Sequence, residues 1–542
     1  MSWQGLGGLW TSEGRWANIT VGQRVTADQR VSEAGSSSTE AYDVLHMTLH
    51  MTCCNGAVRQ FSFAMGGALK QVLALVVIGQ PLLAVGLNFG MHSVTLIQVP
   101  DEPDGFLSAD QLNWSIAATA LGAVLGGLLG APVAPVLGVR RLLLLAMPLY
   151  ALGSLAVGLG GHFGWTLSGR LVMFAALGIS EGGVRSYVSE IVPPTRRALF
   201  TTLLNFMVYL GQVLALTVAP LLHWQVLFIV VGVVPAALCL FGLLFLPNSA
   251  KWLLSRGHSE EEAVRSIQFF RGVQEDVAPE IRSIHDSLQH AHVDGAALPV
   301  WTLLCQPGTW RPLLLASVQM VLFAWCGGST LLLITTFVLA PVRLPLSEYQ
   351  RAMLPAALST FVCVPGGITI ERYGRLPVLR LGGALSAIGC ATIAAYFFLA
   401  VESQERLGWI VLAGACLTQV AFVGMIANVA FNYVTELLPN KTRTLGANIV
   451  LVMLNLSEFM LLKMYPLIKD GVGLGGGFVI HSLVSLCQVL FATFCLKETK
   501  GLSLEQIQHL FQNAEKVAEL PLHVAESLPG SKPSMSCVDA PK

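Results

Sequence analysis

The string Tyr187-Val188-Ser189-Glu190-Ile191-Val192-Pro193-Pro194-Thr195-Arg196-Arg197 returns far down the chain as Tyr433-Val434-Thr435-Glu436-Leu437-Leu438-Pro439-Asn440-Lys441-Thr442-Arg443. Both copies read Y-V-S/T-E, two aliphatic residues, P, three variable positions and R, and both close a long apolar segment. A lone E-x-x-P recurs by chance, whereas the full spacing twice does not. The chain is therefore two copies of one membrane unit, the construction of repeat-built carriers. Movement of a solute across a membrane is the function this architecture points to.

Composition excludes a soluble protein. Hydrophobic residues make up 54% of the chain and charged residues 12%, with a mean hydropathy of +0.65; soluble domains carry roughly 25% charged residues. Twelve apolar stretches are long enough to span, at about 68–90, 113–136, 142–160, 166–186, 199–222, 225–246, 312–338, 350–370, 376–399, 408–432, 446–467 and 473–496. Roughly 20 residues cross a hydrocarbon core, and an open chain satisfies its backbone there only as helices. The formal net charge is zero with no basic block, so no nucleic-acid partner is expected. Nucleophile–base pairs, clustered metal ligands and phosphate loops are absent from the sequence; an enzyme, a metal and a cofactor are not expected.

Charge asymmetry gives the orientation. Arg140, Arg141, Arg196, Arg197, Lys251, Arg256, Arg311, Arg372, Arg375, Lys441 and Arg443 fall in connections on one side. The other side has only Arg343, Arg351, Arg406 and Lys469, and its first loop carries Asp101, Glu102, Asp104 and Asp110. The positive-inside rule places both termini in the cytoplasm of a multi-pass plasma-membrane protein. The Asn-x-Thr sequon at Asn440 then lies inside and stays unglycosylated. The expected domains are a mostly disordered leader over 1–65, a six-helix bundle over 66–247, a helical cytoplasmic linker over 248–311, a second bundle over 312–497 and a tail over 498–542. Within the linker, Ser259-Glu260-Glu261-Glu262 starts an amphipathic helix whose apolar face holds Ile267 and Phe270. Cysteines fall in apolar or cytoplasmic segments, so no extracellular disulfide framework is expected. The Cys53-Cys54 pair is a candidate for palmitoylation, with plain thiols the simpler reading.

Four motifs carry a family resemblance: Tyr187-x-x-Glu190-x-x-Pro193-x-x-x-Arg197 behind Gly169-Arg170; Leu246-Pro247-Asn248-Ser249-Ala250-Lys251-Trp252-Leu253-Leu254; Glu371-Arg372-Tyr373-Gly374-Arg375; and Lys497-Glu498-Thr499-Lys500-Gly501. Over about 66–510 the chain resembles the sugar porters of the major facilitator superfamily, with an overall look similar to arthropod facilitated trehalose and hexose transporters. The resemblance implies an all-α membrane protein of twelve transmembrane helices in two pseudo-symmetric six-helix bundles. It also implies a monomer embedded in the lipid bilayer that binds a small-molecule solute and works by facilitated diffusion through alternating access. In that scheme Arg375 and Arg443 pair with Glu371 and Glu436, and Arg141 and Arg197 with Glu190. With Arg372 these charges form a latch at the inner ends of the bundles, which breaks as the halves rock.

The substrate site departs from the resemblance. Where sugar porters have Q-Q-x-x-G-x-N in the seventh span, this chain has Phe323-Ala324-Trp325-Cys326-Gly327-Gly328-Ser329. Asn205 replaces a glutamine of the fifth span, and Ala427-Asn428-Val429-Ala430-Phe431 loses both prolines and the tryptophan of G-P-x-P-W. The first-half copy of the D-R-x-G-R motif is eroded around Gly138, with Pro135 at its acidic position, which leaves that half's latch to be rebuilt. Candidate substrate ligands are Asn88, Asn205, Gln212, Ser329, Asn428 and Asn455. Each competes with an ordinary helix–helix hydrogen bond. Glu181 and Arg185, four apart, form an expected internal pair; Glu458 and Lys463 either bind an ionic solute or pair locally. His481 reads as packed and hydrogen-bonded. Three functions remain open: a facilitative sugar carrier, which leads; an organic-ion transporter; and a non-transporting receptor or sensor.

Overall fold

The computed structural model describes residues 67–101, 107–193, 196–272, 277–293, 307–399, 401–438 and 443–500. The leader with Cys53-Cys54, the sequon at Asn440 and the chain beyond Lys500 lie outside the described residues, as does the Arg443 side chain. Among the described residues, ten helices are long and apolar enough to cross a membrane. The bent pair Gly67–Ile78 and Gln80–Gln98 makes an eleventh crossing, and the helix Arg443–Phe494, broken at Gly473, supplies two, giving twelve. In chain order the second to sixth crossings are Ala109–Leu137, Val139–Leu159, Phe163–Ile191, Arg197–Val218 and Trp224–Leu243. The seventh is Pro307–Trp325 with Gly328–Leu339, the eighth Glu348–Tyr373 and the ninth Arg375–Phe398. The tenth runs from Val401 to Leu437. All-helical architecture in two repeated sets of six agrees with the expected fold.

Local sequence explains the boundaries, and the duplication extends to the caps. Ser108 and Ser347 open the second and eighth crossings with the same capping box. Each hydroxyl accepts from the backbone of a glutamine three residues on, Gln111 or Gln350, whose side chain accepts from the serine N–H. Each box satisfies two of the N–H groups that a helix start leaves open. Gly138 and Gly374 end those crossings at φ +75° and +97°, a region an L side chain rarely enters. Between the halves, Ala250–Ser255, Glu260–Arg271 and Ala278–Val293 are the expected linker helices. Ile267 and Phe270 are buried on the predicted apolar face, and Gln71 Nε2 of the first crossing donates to the Phe270 carbonyl at 3.2 Å.

Two crossings are broken and a third is locally widened. The first bends by 48° where Pro81 enters without an N–H. The seventh breaks at Gly327, which frees carbonyls that hydrocarbon cannot solvate. Side chains from neighbouring crossings take them up: Ser386 and Ser485 hydroxyls donate to the Cys326 carbonyl at 2.8 and 2.9 Å, His481 Nδ1 meets the Trp325 carbonyl at 2.9 Å, and Gln419 Nε2 donates to the Gly328 carbonyl at 3.1 Å. His481 is thereby occupied in holding the break, with Nε2 on Thr330 Oγ1 at 3.1 Å. The tenth crossing widens into a π-helical turn over Phe422–Ala427. The segment that lacks the prolines thus still departs from regular α-helical geometry.

Candidate functional site

A cavity lies where the halves meet. Its walls come from the first, second, fourth and fifth crossings of the amino half and from the seventh, tenth and eleventh of the carboxy half. It leaves about 110 Å³ open to water centres, room for several waters. Most of the lining is apolar and aromatic, with Phe89, Phe174, Tyr209, Phe323, Phe422 and Phe431. Phe323 stacks on Phe422 at 4.6 Å between ring centroids and meets Phe431 edge-on at 5.7 Å. The seventh-span break sets Ser329 on the wall, and the π turn does the same for Phe422.

The polar lining is small: Glu181, Arg185, Asn205, Ser329, Asn455 and Glu458, with Thr119 and the Tyr209 ring. The expected pair forms, with Arg185 Nη2 at 3.2 Å from Glu181 Oε1. Arg185 Nη1 also donates to Asn205 Oδ1 at 3.1 Å, and its guanidinium lies 5.1 Å from the Phe431 ring centroid. Asn205 Nδ2 then donates to Asn428 Oδ1 at 3.3 Å, so a hydrogen-bonded chain runs from the fourth crossing to the tenth, across the two halves. Ser329 Oγ donates to Glu458 Oε1 at 3.4 Å.

Three of the six candidate ligands line the cavity: Asn205, Ser329 and Asn455. The other three do not. Asn88 donates to the Ala84 carbonyl at 2.8 Å and to the Tyr150 hydroxyl at 3.0 Å, which itself donates to the Val231 carbonyl at 3.0 Å; this is an interhelical network within the amino half. Gln212 Nε2 donates to the Leu332 carbonyl at 2.9 Å, joining the halves. Asn428 touches the cavity only through Asn205 and gives its own N–H groups to the Cys363 and Val423 carbonyls, both at 3.1 Å. Glu458 and Lys463 do not pair with each other. Lys463 turns away to Asp110 at 3.6 Å and lies 3.9 Å from the Trp114 ring centroid, a contact between the halves at the end opposite the basic loops. The sequence reading missed the phenylalanine wall. The only signal for it was the substitution of aromatic for amide positions at Phe323 and Phe431.

At the basic end, one of the expected ion pairs forms and the other charges take different neighbours. Arg375 Nη2 pairs with Glu436 at 2.5 Å, and Thr499 Oγ1 donates to the other Glu436 oxygen at 2.6 Å. Both contacts lie inside the carboxy half rather than between halves. Among the described residues, Glu371 and Glu190 make no ion pair; Glu190 accepts only from Ser186 Oγ, at 3.0 Å. Arg197 is exposed, Arg372 lies 5.7 Å from the Tyr373 ring centroid and Arg141 lies 5.7 Å from that of Trp252. The repeated tyrosines do act alike. Tyr187 donates to the Pro247 carbonyl at 2.6 Å and Tyr433 to the Lys497 carbonyl at 2.7 Å, each tying the repeated string to the end of its own half.

The model of the sugar (and other) transporter family matches residues 45–511. The chain belongs to that family. Its relatives include the human solute carrier family 2, facilitated glucose transporter member 6, 25% identical over 77% of this chain and 85% of that protein. The facilitated trehalose transporter Tret1 of Anopheles gambiae is 24% identical over 81% of this chain and 55% of its own length. Among solved structures, the proton:xylose symporter XylE with bound 6-bromo-6-deoxy-D-glucose superposes with a TM-score of 0.65. It is 20% identical, covering 83% of this chain and 99% of that one. The inward open form of the xylose transporter XylE from E. coli gives a TM-score of 0.63 at 18% identity, over 82% and 98%. The fold is therefore the major facilitator fold, and the protein is a multi-pass membrane carrier rather than an enzyme.

Proposed function

We propose that this carrier moves a small sugar or sugar-like solute by facilitated diffusion, as a monomer in the plasma membrane with both termini in the cytoplasm. The observation that carries the reading is the cavity shared by the two halves, crossed by the chain Arg185–Asn205–Asn428. A site built from both halves changes its exposure when they rock about it, which is what alternating access requires. Asn205, Asn455 and Ser329 supply donors and acceptors for hydroxyl groups, and the phenylalanines supply a face for a ring. Membership of the family and the names of the relatives support the sugar class. The latch enters as a proposal in the same scheme: Arg141, Glu190, Arg197, Glu371, Arg372, Arg375, Glu436 and Arg443 exchange partners as the cytoplasmic ends approach.

The test is uptake of labelled hexoses and disaccharides by proteoliposomes holding the purified full chain. The expected result is saturable, energy-independent equilibration of at least one sugar, with Asn205→Ala raising its half-saturation concentration about tenfold, the scale of one lost buried hydrogen bond. Counterflow absent for every sugar tried would defeat the reading. Glucose is expected to be a poor ligand, because the apolar wall at Phe323 and Phe431 leaves hydroxyls without partners, each costing about 1–3 kcal/mol.

A further inference from the structure

We propose that the solute carries a cationic amino group and that Glu458 receives it, so that the preferred substrates are amine-bearing sugars or polyols rather than neutral ones; this rests on the carrier reading above. The charges lining the cavity do not balance. Among the described residues that line it, Glu181 and Glu458 are the acids and Arg185 is the one cation. Arg185 is already engaged by Glu181, Asn205 and the Phe431 ring. The nearest other cation on the helix of Glu458, Lys463, is committed to Asp110 and Trp114. Glu458 is left with one long contact to a neutral hydroxyl, Ser329 Oγ at 3.4 Å, and no counter-ion.

An ionised carboxylate on an apolar wall is costly unless a charge meets it. The surroundings suit an ammonium ion in a second way. Phe323, Phe422 and Phe431 offer aromatic surface on the same cavity, and ring faces attract a desolvated cation. These walls have few groups for ring hydroxyls, so a strong ammonium–carboxylate contact supplies orientation that a run of amides provides elsewhere. Glu181 and Glu458 line the same cavity, where like charges disfavour one another, and a cationic guest relieves that strain while a neutral one does not.

The experiment compares glucosamine in its ammonium form with glucose, which differs from it at one ring substituent, in proteoliposomes of the full chain at pH about 6.5. Wild type is expected to take up glucosamine about tenfold better than glucose at low concentration, the scale of one hydrogen bond to a charged group. An inside-negative potential is expected to accelerate glucosamine entry and leave glucose entry unchanged. Glu458→Gln should bring the two sugars to parity, with Glu458→Asp keeping part of the preference. Equal uptake of both sugars by wild type, with no response to potential, overturns the proposal and leaves the sugar-carrier reading standing. So does glucose uptake that follows an imposed proton gradient and loses that dependence in Glu458→Gln, which would make the guest of Glu458 a proton. Failure of glucosamine to move while another, neutral sugar is transported also overturns the proposal and leaves the carrier reading standing.

Discussion

The corner at Gly138 and the corner at Gly374 are copies of one motif that have come to be held by different forces. Each ends a crossing with a glycine at positive φ and lies beside the segment that leaves the last crossing of its half. At Gly374 that segment brings Glu498, whose carboxylate accepts from the backbone N–H groups of Arg375, Leu376, Thr499 and Lys500 at 3.0, 2.9, 3.2 and 3.1 Å. Glu498 thereby serves the open start of the ninth crossing, and Arg375 and Glu436 add an ion pair. At Gly138 the place of that acid is taken by the neutral amide Asn248, and the corner is covered instead by Trp252, under Arg141, while Arg256 Nη2 donates to the Pro135 carbonyl at 3.2 Å. The carboxy half keeps its corner by charge, the amino half by an indole and a cation over it. A duplicated backbone turn can therefore outlive the side chains that first stabilised it, provided another contact fills the same place.

The largest expected effect comes from the glycines. An alanine at either position is forced into a region that costs roughly 1–3 kcal/mol. At Gly138 its Cβ also meets the Trp252 ring at 2.8 Å, whereas at Gly374 the nearest atom is the Glu498 carboxylate at 3.1 Å. Gly138→Ala is expected to lower the thermal unfolding midpoint in detergent more than Gly374→Ala; the reverse order would break the account of Trp252 as the cover. Next comes Glu436→Gln, which strips the partner from Arg375 in a half-buried pair. A loss of about 2 kcal/mol is expected, together with slower transport, and the melting curve with initial uptake rates reads both. If stability falls while the rate holds, Glu436 supports the half and has no part in a latch.

A smaller effect, about 1 kcal/mol, is expected for Trp252→Ala, from the lost cation contact and part of the indole burial. It should be insensitive to acid, which sharpens the contrast with Glu498. Burial pushes the Glu498 carboxyl up, but the four backbone N–H donors outweigh it and hold the group below the usual carboxylate range. Its contribution is therefore complete above the unfolded value of about 4.3 and is lost as pH falls through the lower folded value. The gap in melting temperature between wild type and Glu498→Gln should close on acidification, while the gap to Trp252→Ala should not. The smallest effect is expected at Glu190, which meets only Ser186. Glu190→Gln should change stability by less than about 0.5 kcal/mol, so any change in transport rate it causes reports on a partner met in another conformation.

Among the polar residues of the spans, the sequence could mark candidates but could not sort them. An asparagine in an apolar helix has the same local surroundings whether it faces a solute or a neighbouring helix. Asn88 and Asn205 illustrate this: one is taken by the Tyr150 hydroxyl and the other by Arg185 at the cavity edge. The pair Glu181–Arg185 was legible because its partners are one helical turn apart. Arg375 was expected to pair with Glu371 or Glu436, and only packing could choose Glu436, which lies 61 residues away.

The sequence by itself determined the twelve crossings, their duplication and the linker helices. All of these follow from local quantities: apolar length against membrane thickness, helical period and backbone dihedral preference. Tertiary structure alone decided which carbonyls the seventh-span break leaves to Ser386, Ser485, Gln419 and His481, and that Gln212 joins the halves rather than facing a solute. It also decided that Glu458 reaches the cavity with only Ser329 for company. The physical reason is that buried polar groups must find partners across helices distant in sequence. Each match is set by packing between crossings, which no single segment encodes.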